Sequence, residues 1–189
     1  MDTLNREAWL ALVARHVENE LFKQNGIPCN PFKVSTGFPH GGSSLKRIGE
    51  CWFGTATKDN VAQVFINPII EESARAIDIL IHEMIHVAYP TSGHKGEFKK
   101  AALKVGLEGK MTATTAGPEL SAWIKGIIEI VGEYPHAQIM LSGRKKQTTR
   151  MVKMECIYCG YIARTSQKWL DEAGALICPC ENVPMMVVE

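Results

Sequence analysis

Between Ser73 and Ala88 the chain reads SARAIDILIHEMIHVA, an apolar run broken by two histidines and a glutamate. Ile77, Leu80, Ile81, Met84 and Ile85 recur at helical intervals, which predicts a helix over 74–88 that buries one broad side. Ser73 is the expected cap of this helix and Pro90 ends it. On such a helix His82 and His86 project from one face a turn apart, so two imidazole nitrogens converge on one place. Any fold adopted by this chain must bury most of that helix and still keep His82, Glu83 and His86 at the edge of its core.

His-Glu-Met-Ile-His at 82–86 is the HExxH pattern. A catalytic zinc ion takes three protein ligands and keeps one position open. His94, just after a short turn over 89–93 and at the start of the next expected helix, is the third ligand, with Glu97 as its rival. Glu83 is expected to stay off the metal, to serve as the general base that activates water for hydrolysis, and then to pass the proton to a leaving amine. Asp78, one turn before His82, is a candidate acceptor for the free N–H of that ring. Tyr134 and His136 are candidates to stabilise an oxyanion.

Around this motif the pattern predicts an amphipathic helix over 3–24, stopped by Asn25-Gly26, and three strands within 32–34, 47–57 and 61–67, the second beyond a Gly41-Gly42-Ser43-Ser44 turn. Helices follow over about 95–105 and 118–131, closed by Gly106 and Gly132. The expected class is α+β, a small antiparallel sheet packed with the helices that carry the HExxH site.

Of the six cysteines, Cys29 and Cys51 stand alone and are expected to be packing residues, whereas Cys156, Cys159, Cys178 and Cys180 crowd toward the C-terminus. Cys156-Ile157-Tyr158-Cys159 is a CxxC knuckle, and Cys178-Pro179-Cys180 answers it with the tighter CxC spacing. Four thiolates so placed point to a second, closed zinc site of structural kind in a small β ribbon. The ribbon is expected over 154–189, joined by a basic linker at 142–153. A net charge of +1 excludes a globally basic nucleic-acid coat, so any such surface must be local. Arg144, Lys145, Lys146, Arg150 and Lys153 in the linker, with Arg164 and Lys168 beyond it and Tyr161 and Trp169 as stacking surfaces, make that local candidate. No basic-flanked apolar leader opens the chain, and no apolar run approaches the ~18 residues of a bilayer span. A soluble cytoplasmic protein with no membrane partner is expected.

The stretch His82–His86 followed by Gly93-His94-Lys95-Gly96-Glu97-Phe98 resembles the HExxH and GHGxEF arrangement of the SprT-like zinc metallopeptidases, a family that includes the DNA–protein crosslink protease Spartan. Lys95 stands where the family has glycine, and the segment between the two motifs is shorter than in Spartan. Ala101-Ala102-Leu103, the segment from Gly106 to Thr114 and the tail at Tyr158-Cys159-Gly160-Tyr161 are similar to the small phage and bacterial members. The likeness covers roughly 45–182. It implies a metallopeptidase domain over 1–141 with a three-histidine zinc and Glu83 catalytic, followed by a zinc ribbon. It also implies a protein substrate, DNA as a partner of unspecified strandedness, and a bacterial cytoplasm, with a phage gene as one source. The rival reading is a non-enzymatic nucleic-acid-binding or transcription-accessory protein whose HExxH zinc is structural.

Overall fold

Asn5 starts the first helix: its side chain accepts a hydrogen bond from the Ala8 amide at 2.8 Å, satisfying a donor that has no carbonyl within the helix. The computed structural model describes residues 4–40, 47–141 and 151–188, so the Gly41–Ser44 turn lies outside the described residues. Helix α1 (Arg6–His16) runs through a π-helical stretch, Val17–Phe22, into the last turn α2 (Lys23–Asn25), and Gly26 stops it at a positive φ of 66°. The expected single helix is therefore one rod with a widened middle. Trp9, Leu10, Val13, Val17 and Phe22 form its buried stripe.

The sheet holds β1 (Phe32–Thr36), β2 (Gly49–Trp52) and β3 (Ala62–Ile66) in the order β1-β3-β2. β3 pairs antiparallel with β2 but parallel with β1, so the sheet is mixed and the expectation of an antiparallel one is corrected. The reason lies in β3, whose Ala62, Val64 and Ile66 are buried and which takes the centre, paired on both edges. The long second strand expected over 47–57 is cut short at Trp52, and a 3-10 turn, Gly54–Ala56, follows.

Helix α3 (Ser73–Ala88) packs against this sheet and against α1. Its cap is Glu72, whose carboxylate accepts from the Ala74 and Arg75 amides at 3.0 and 2.6 Å. Ser73 instead bonds to Glu133 through its hydroxyl and accepts from the Tyr134 amide. After α4 (Gly96–Lys104) comes a hairpin without a counterpart in the sequence reading, β4 (Leu107–Lys110) against β5 (Ala113–Ala116), and then α5 (Pro118–Val131), which packs on α3. Trp9 ties α1 to the end of α5: its indole N–H donates to the Gly132 carbonyl at 2.9 Å and its ring lies 4.9 Å from that of Tyr134.

The chain divides into two compact units, Met1–Leu141 and Ser142–Glu189. The second contains β6 (Met151–Glu155), β7 (Ile162–Ser166), α6 (Gln167–Ala173) and β8 (Met186–Val188), with β6 central in an antiparallel sheet ordered β7-β6-β8. Met151–Lys153, expected to close the linker, are the first residues of β6. Among the described residues its buried apolar core is Met154, Cys156, Cys178 and Met185, with partly buried aliphatics around them. Both units mix helix with small sheets, so the α+β class holds. Among the described residues no helix is long and apolar enough to cross a membrane.

Trp9 is 1% exposed and bridges two helices, whereas Leu103 is 53% exposed on α4. Trp9→Ala should lower the unfolding free energy of the first unit by about 3–5 kcal/mol. Leu103→Ala should change it by less than ~0.5 kcal/mol, both read from urea titrations followed by far-ultraviolet circular dichroism.

Candidate metal centre

His82 and His86 leave α3 on the face that turns toward α4, and the chain reverses after α3 to bring a third ring to them. Pro90 and the turns closed by the Ser92 and Lys95 amides make that reversal, and Gly93 sits within it at φ +53°, where a side chain would strain the backbone. His94 then places its Nε2 at 3.3 Å from the Nε2 of His82 and at 3.1 Å from that of His86. Phe98, fully buried on α4, backs all three rings, with centroids 5.0, 4.3 and 5.1 Å from those of His82, His86 and His94.

Three ring nitrogens facing one point at such separations fit a metal ion. Tetrahedral zinc with bonds of about 2.0–2.1 Å separates two nitrogen ligands by about 3.3 Å. The rings also carry the right charge state. Burial, with His94 and Arg75 adding to it, pushes the His82 ring down to about 4, and burial with the facing His82 and His94 pushes His86 down to about 3. Burial lowers His94 as well. His82 and His86 are therefore neutral well below pH 7, and the lowering of His94 favours its neutral form too, with lone pairs free for a cation. Glu97, the rival third ligand, is exposed and bonded to Lys100 at 2.7 Å, outside the cluster.

His82 is oriented by a residue the sequence reading did not single out. Its Nδ1 lies 2.8 Å from the hydroxyl of Thr114, a buried residue of β5. Asp78, expected in that role, turns to Arg75 instead, which reaches both its oxygens at 2.6 and 2.7 Å and also the Thr114 carbonyl at 3.1 Å. Asp78 thus acts one step back, through Arg75, on the strand that holds Thr114. Burial outweighs Arg75 and raises its carboxyl to about 6. His86 has no such partner: its Nδ1 is buried without a hydrogen bond, and the ring is held by its stack on Phe98.

Glu83 is 7% exposed and opens onto a cleft of about 530 Å³ that also exposes the three histidines. Its other side is the backbone of β2. A Cβ on Gly49 would stand 2.5 Å from Glu83 Oε1 and 2.6 Å from Ile79, so the bare glycine is what makes room for the carboxylate. Burial, reinforced by Glu50 and opposed by Arg47, pushes Glu83 up to about 8. Glu50 lines the same cleft and accepts from the His40 amide, Arg47 and the Trp52 indole at 2.8, 2.6 and 2.9 Å. Cys51, also in the cleft wall, has its thiol pushed up to about 12 by burial and by Glu83 and Glu50, which keeps it inert. Tyr134 and His136 do not join the site: Tyr134 bonds to Thr36 at 2.7 Å and His136 meets the Pro68 carbonyl at 2.9 Å and Arg6 at 3.4 Å. The polar aromatic pair is spent on packing.

The second unit holds a second candidate site. Sulfur atoms of Cys156, Cys159 and Cys178 lie within 4.8 Å of one another, with Cys159 and Cys178 at 3.4 Å. Burial raises the Cys178 thiol, but amides of Glu181 and Cys180 and the facing thiols outweigh it and bring it down to about 7. Cys180, expected as the fourth ligand, is exposed and lies outside the group. With Pro179 alone between them, Cys178 turns into the core and Cys180 to solvent. Of the basic surface, Arg144, Lys145, Lys146 and Arg150 lie outside the described residues. Lys153 pairs with Glu155, Arg164 lies on β7, and Lys168 stands 5.1 Å over the ring of Trp169, which is 57% exposed. Tyr161 is exposed as well.

Comparison of the chain with protein-family models, curated proteins and solved structures finds no match in any of the three.

Thr114→Val should weaken zinc binding at the histidine site by ~10–100-fold, measured by chelator competition, while Thr114→Ser keeps it. Proton linkage makes a second expectation for the metal-free chain. His82 and His86 bind fewer protons folded than unfolded between their ordinary 6.5 and about 4 or 3, so stability falls as pH drops through that window. Glu83 keeps its proton longer folded than unfolded, so it costs stability as pH rises from 4.5 toward about 8. Glu83→Gln removes only the second effect. In chelator it should match wild type near pH 4 and exceed it at pH 8 by on the order of 4 kcal/mol in urea unfolding.

Proposed function

We propose that the chain is a zinc-dependent endopeptidase of the SprT-like type. The observation that carries this reading is the meeting of three neutral imidazoles with a buried, unligated carboxylate in one open cleft. Zinc held by His82, His86 and His94 would supply Lewis acidity toward a scissile carbonyl and toward water. The rest of the chemistry falls to the chain's own residues. Glu83, made a stronger base than an ordinary glutamate by burial, accepts a proton from the attacking water and returns it to the leaving amine. Gly49 and Ile79 hold that carboxylate from behind, Thr114 holds the His82 ring, and Phe98 closes the far side of the site to water. The open strand β2, at the edge of its sheet, lies along the cleft where an extended peptide can reach Glu83.

A purely structural zinc would have its fourth place filled by protein. Among the described residues only three ligand atoms gather at the histidine site, and the acid beside them faces the cleft. That composition favours the enzyme over the non-enzymatic rival. For the second unit we infer a zinc ribbon that docks on nucleic acid, because Trp169 is exposed for stacking beside Lys168 and Tyr161 is exposed as well. The substrates that follow from this pairing are DNA-associated or DNA-crosslinked proteins.

Glu83→Gln should keep the histidine-site metal and lose ~10²–10⁴-fold in turnover of a generic unfolded protein, while His94→Ala loses the metal as well. The check is gel-based cleavage with and without single- or double-stranded DNA, paired with metal analysis of each variant. Equal cleavage by wild type and Glu83→Gln, or cleavage by neither under all metal and DNA conditions, would sink the enzyme reading.

A further inference from the structure

The two cysteine turns of the second unit are built on the same backbone plan, and the plan does not place Cys180 where a ligand belongs. In the first turn the Gly160 amide donates to the Cys156 carbonyl at 2.9 Å, and the Cys156 amide donates to the Tyr161 carbonyl at 2.9 Å. In the second the Asn182 amide donates to the Cys178 carbonyl at 2.9 Å, and the Cys178 amide donates to the Val183 carbonyl at 2.8 Å. Both bonds span the same intervals. The residue that ends each turn also matches: Gly160 has φ +73° and Asn182 φ +52°, one of two non-glycine residues with positive φ among those described. Superposing these intervals pairs Cys156 with Cys178, Cys159 with Glu181 and Gly160 with Asn182. Cys180 pairs with Tyr158, an exposed residue that is no ligand in the first turn.

We propose that the second metal centre is held by Cys156, Cys159 and Cys178 with the carboxylate of Glu181 as its fourth ligand, and that Cys180 is a free surface thiol. This rests on the reading of that unit as a zinc ribbon. The three sulfurs are already gathered and two are buried. Cys180 and Glu181 are both exposed and outside the gathered group, so the question is which can enter it. Cys180 has one side-chain torsion and starts from a place that in the twin turn points to solvent. Glu181 starts from the place that in the twin turn delivers Cys159, and its longer side chain has three torsions with which to swing an oxygen onto the ion. Zinc accepts carboxylate oxygen beside sulfur, and three thiolates with one carboxylate still make a closed tetrahedral set.

Cobalt(II) loaded into the full-length chain reads the thiolate count directly, because sulfur-to-cobalt charge-transfer absorption arises only at the cysteine cluster and not at the three-histidine site. Cys180→Ser should leave that absorption and the zinc affinity unchanged. Glu181→Cys should raise the absorption by about a third, as three thiolates become four. Glu181→Gln should weaken zinc binding by at least ~10-fold in chelator competition. A drop of about a quarter in Cys180→Ser, with no gain in Glu181→Cys, would overturn the assignment of Glu181 while leaving a four-cysteine ribbon intact. Absence of any charge-transfer band in the wild type would overturn the ribbon reading itself, and the assignment with it.

Discussion

The first unit depends on a conflict within α3. Almost every residue of Ser73–Ala88 is buried, and the elements packed on it differ around its circumference: β2 and β3 of the sheet, helices α1, α4 and α5, and strand β5. A helix surrounded in this way is stabilised by apolar burial, yet His82, Glu83 and His86 interrupt the apolar pattern and must be desolvated with it. The two kinds of residue are reconciled by geometry. The polar three lie on neighbouring faces that open on one cleft, and the elements packed around α3 each answer one of them. Thr114 answers His82, Phe98 answers His86, and the bare backbone at Gly49 answers Glu83.

Desolvation then sets the chemistry. Burying an imidazole disfavours its charged form, and burying a carboxyl also disfavours its charged form, so the same low-dielectric setting moves His82 and His86 down and Glu83 up. At pH 7 and without a cation His82, Glu83 and His86 are neutral, which is how they are tolerated beside a core of isoleucine and phenylalanine. A dication restores the charge that burial removed, and it is the ligand for which neutral nitrogens and a nearby acid are suited. The His86 ring is placed by its stack on Phe98 and by the convergence of the Nε2 atoms, and its Nδ1 has no partner among the described residues.

Much of this was legible in the chain and the limits have physical causes. Helical spacing located α3 and with it His82, Glu83 and His86, because a strongly periodic apolar run leaves one solution. His94 was found by its position after a turn-forming glycine. Thr114 was not, since a contact between a strand and a helix far apart in sequence leaves no periodic trace, and the β4–β5 hairpin turns through Met111-Thr112 without the Asn-Gly type of signal. Asp78 was misread for a related reason. Spacing puts it within reach of His82 and equally within reach of Arg75, and spacing cannot say that Thr114 takes the free nitrogen of His82 and leaves Asp78 to Arg75. The mixed sheet departs from the antiparallel one expected, and the burial of Ala62, Val64 and Ile66 accounts for β3 lying between the other two strands.

The two candidate metal centres place opposite demands on their surroundings. The histidine cluster stands on a large core that includes α1, α3, α5 and the sheet, so its rings are held in place by packing. The cysteine cluster has, among the described residues, four buried apolar side chains for a core, and two of those are its own cysteines. Such a unit buries too little apolar surface to offset the conformational entropy of its chain, so a metal ion bound at its cysteines would supply folding free energy that the first unit draws from its core. Where so small a core fixes the side chains, the turns that present Cys156, Cys159 and Cys178 are the preorganised feature, and CxC spacing alone is a poor guide to what those turns present.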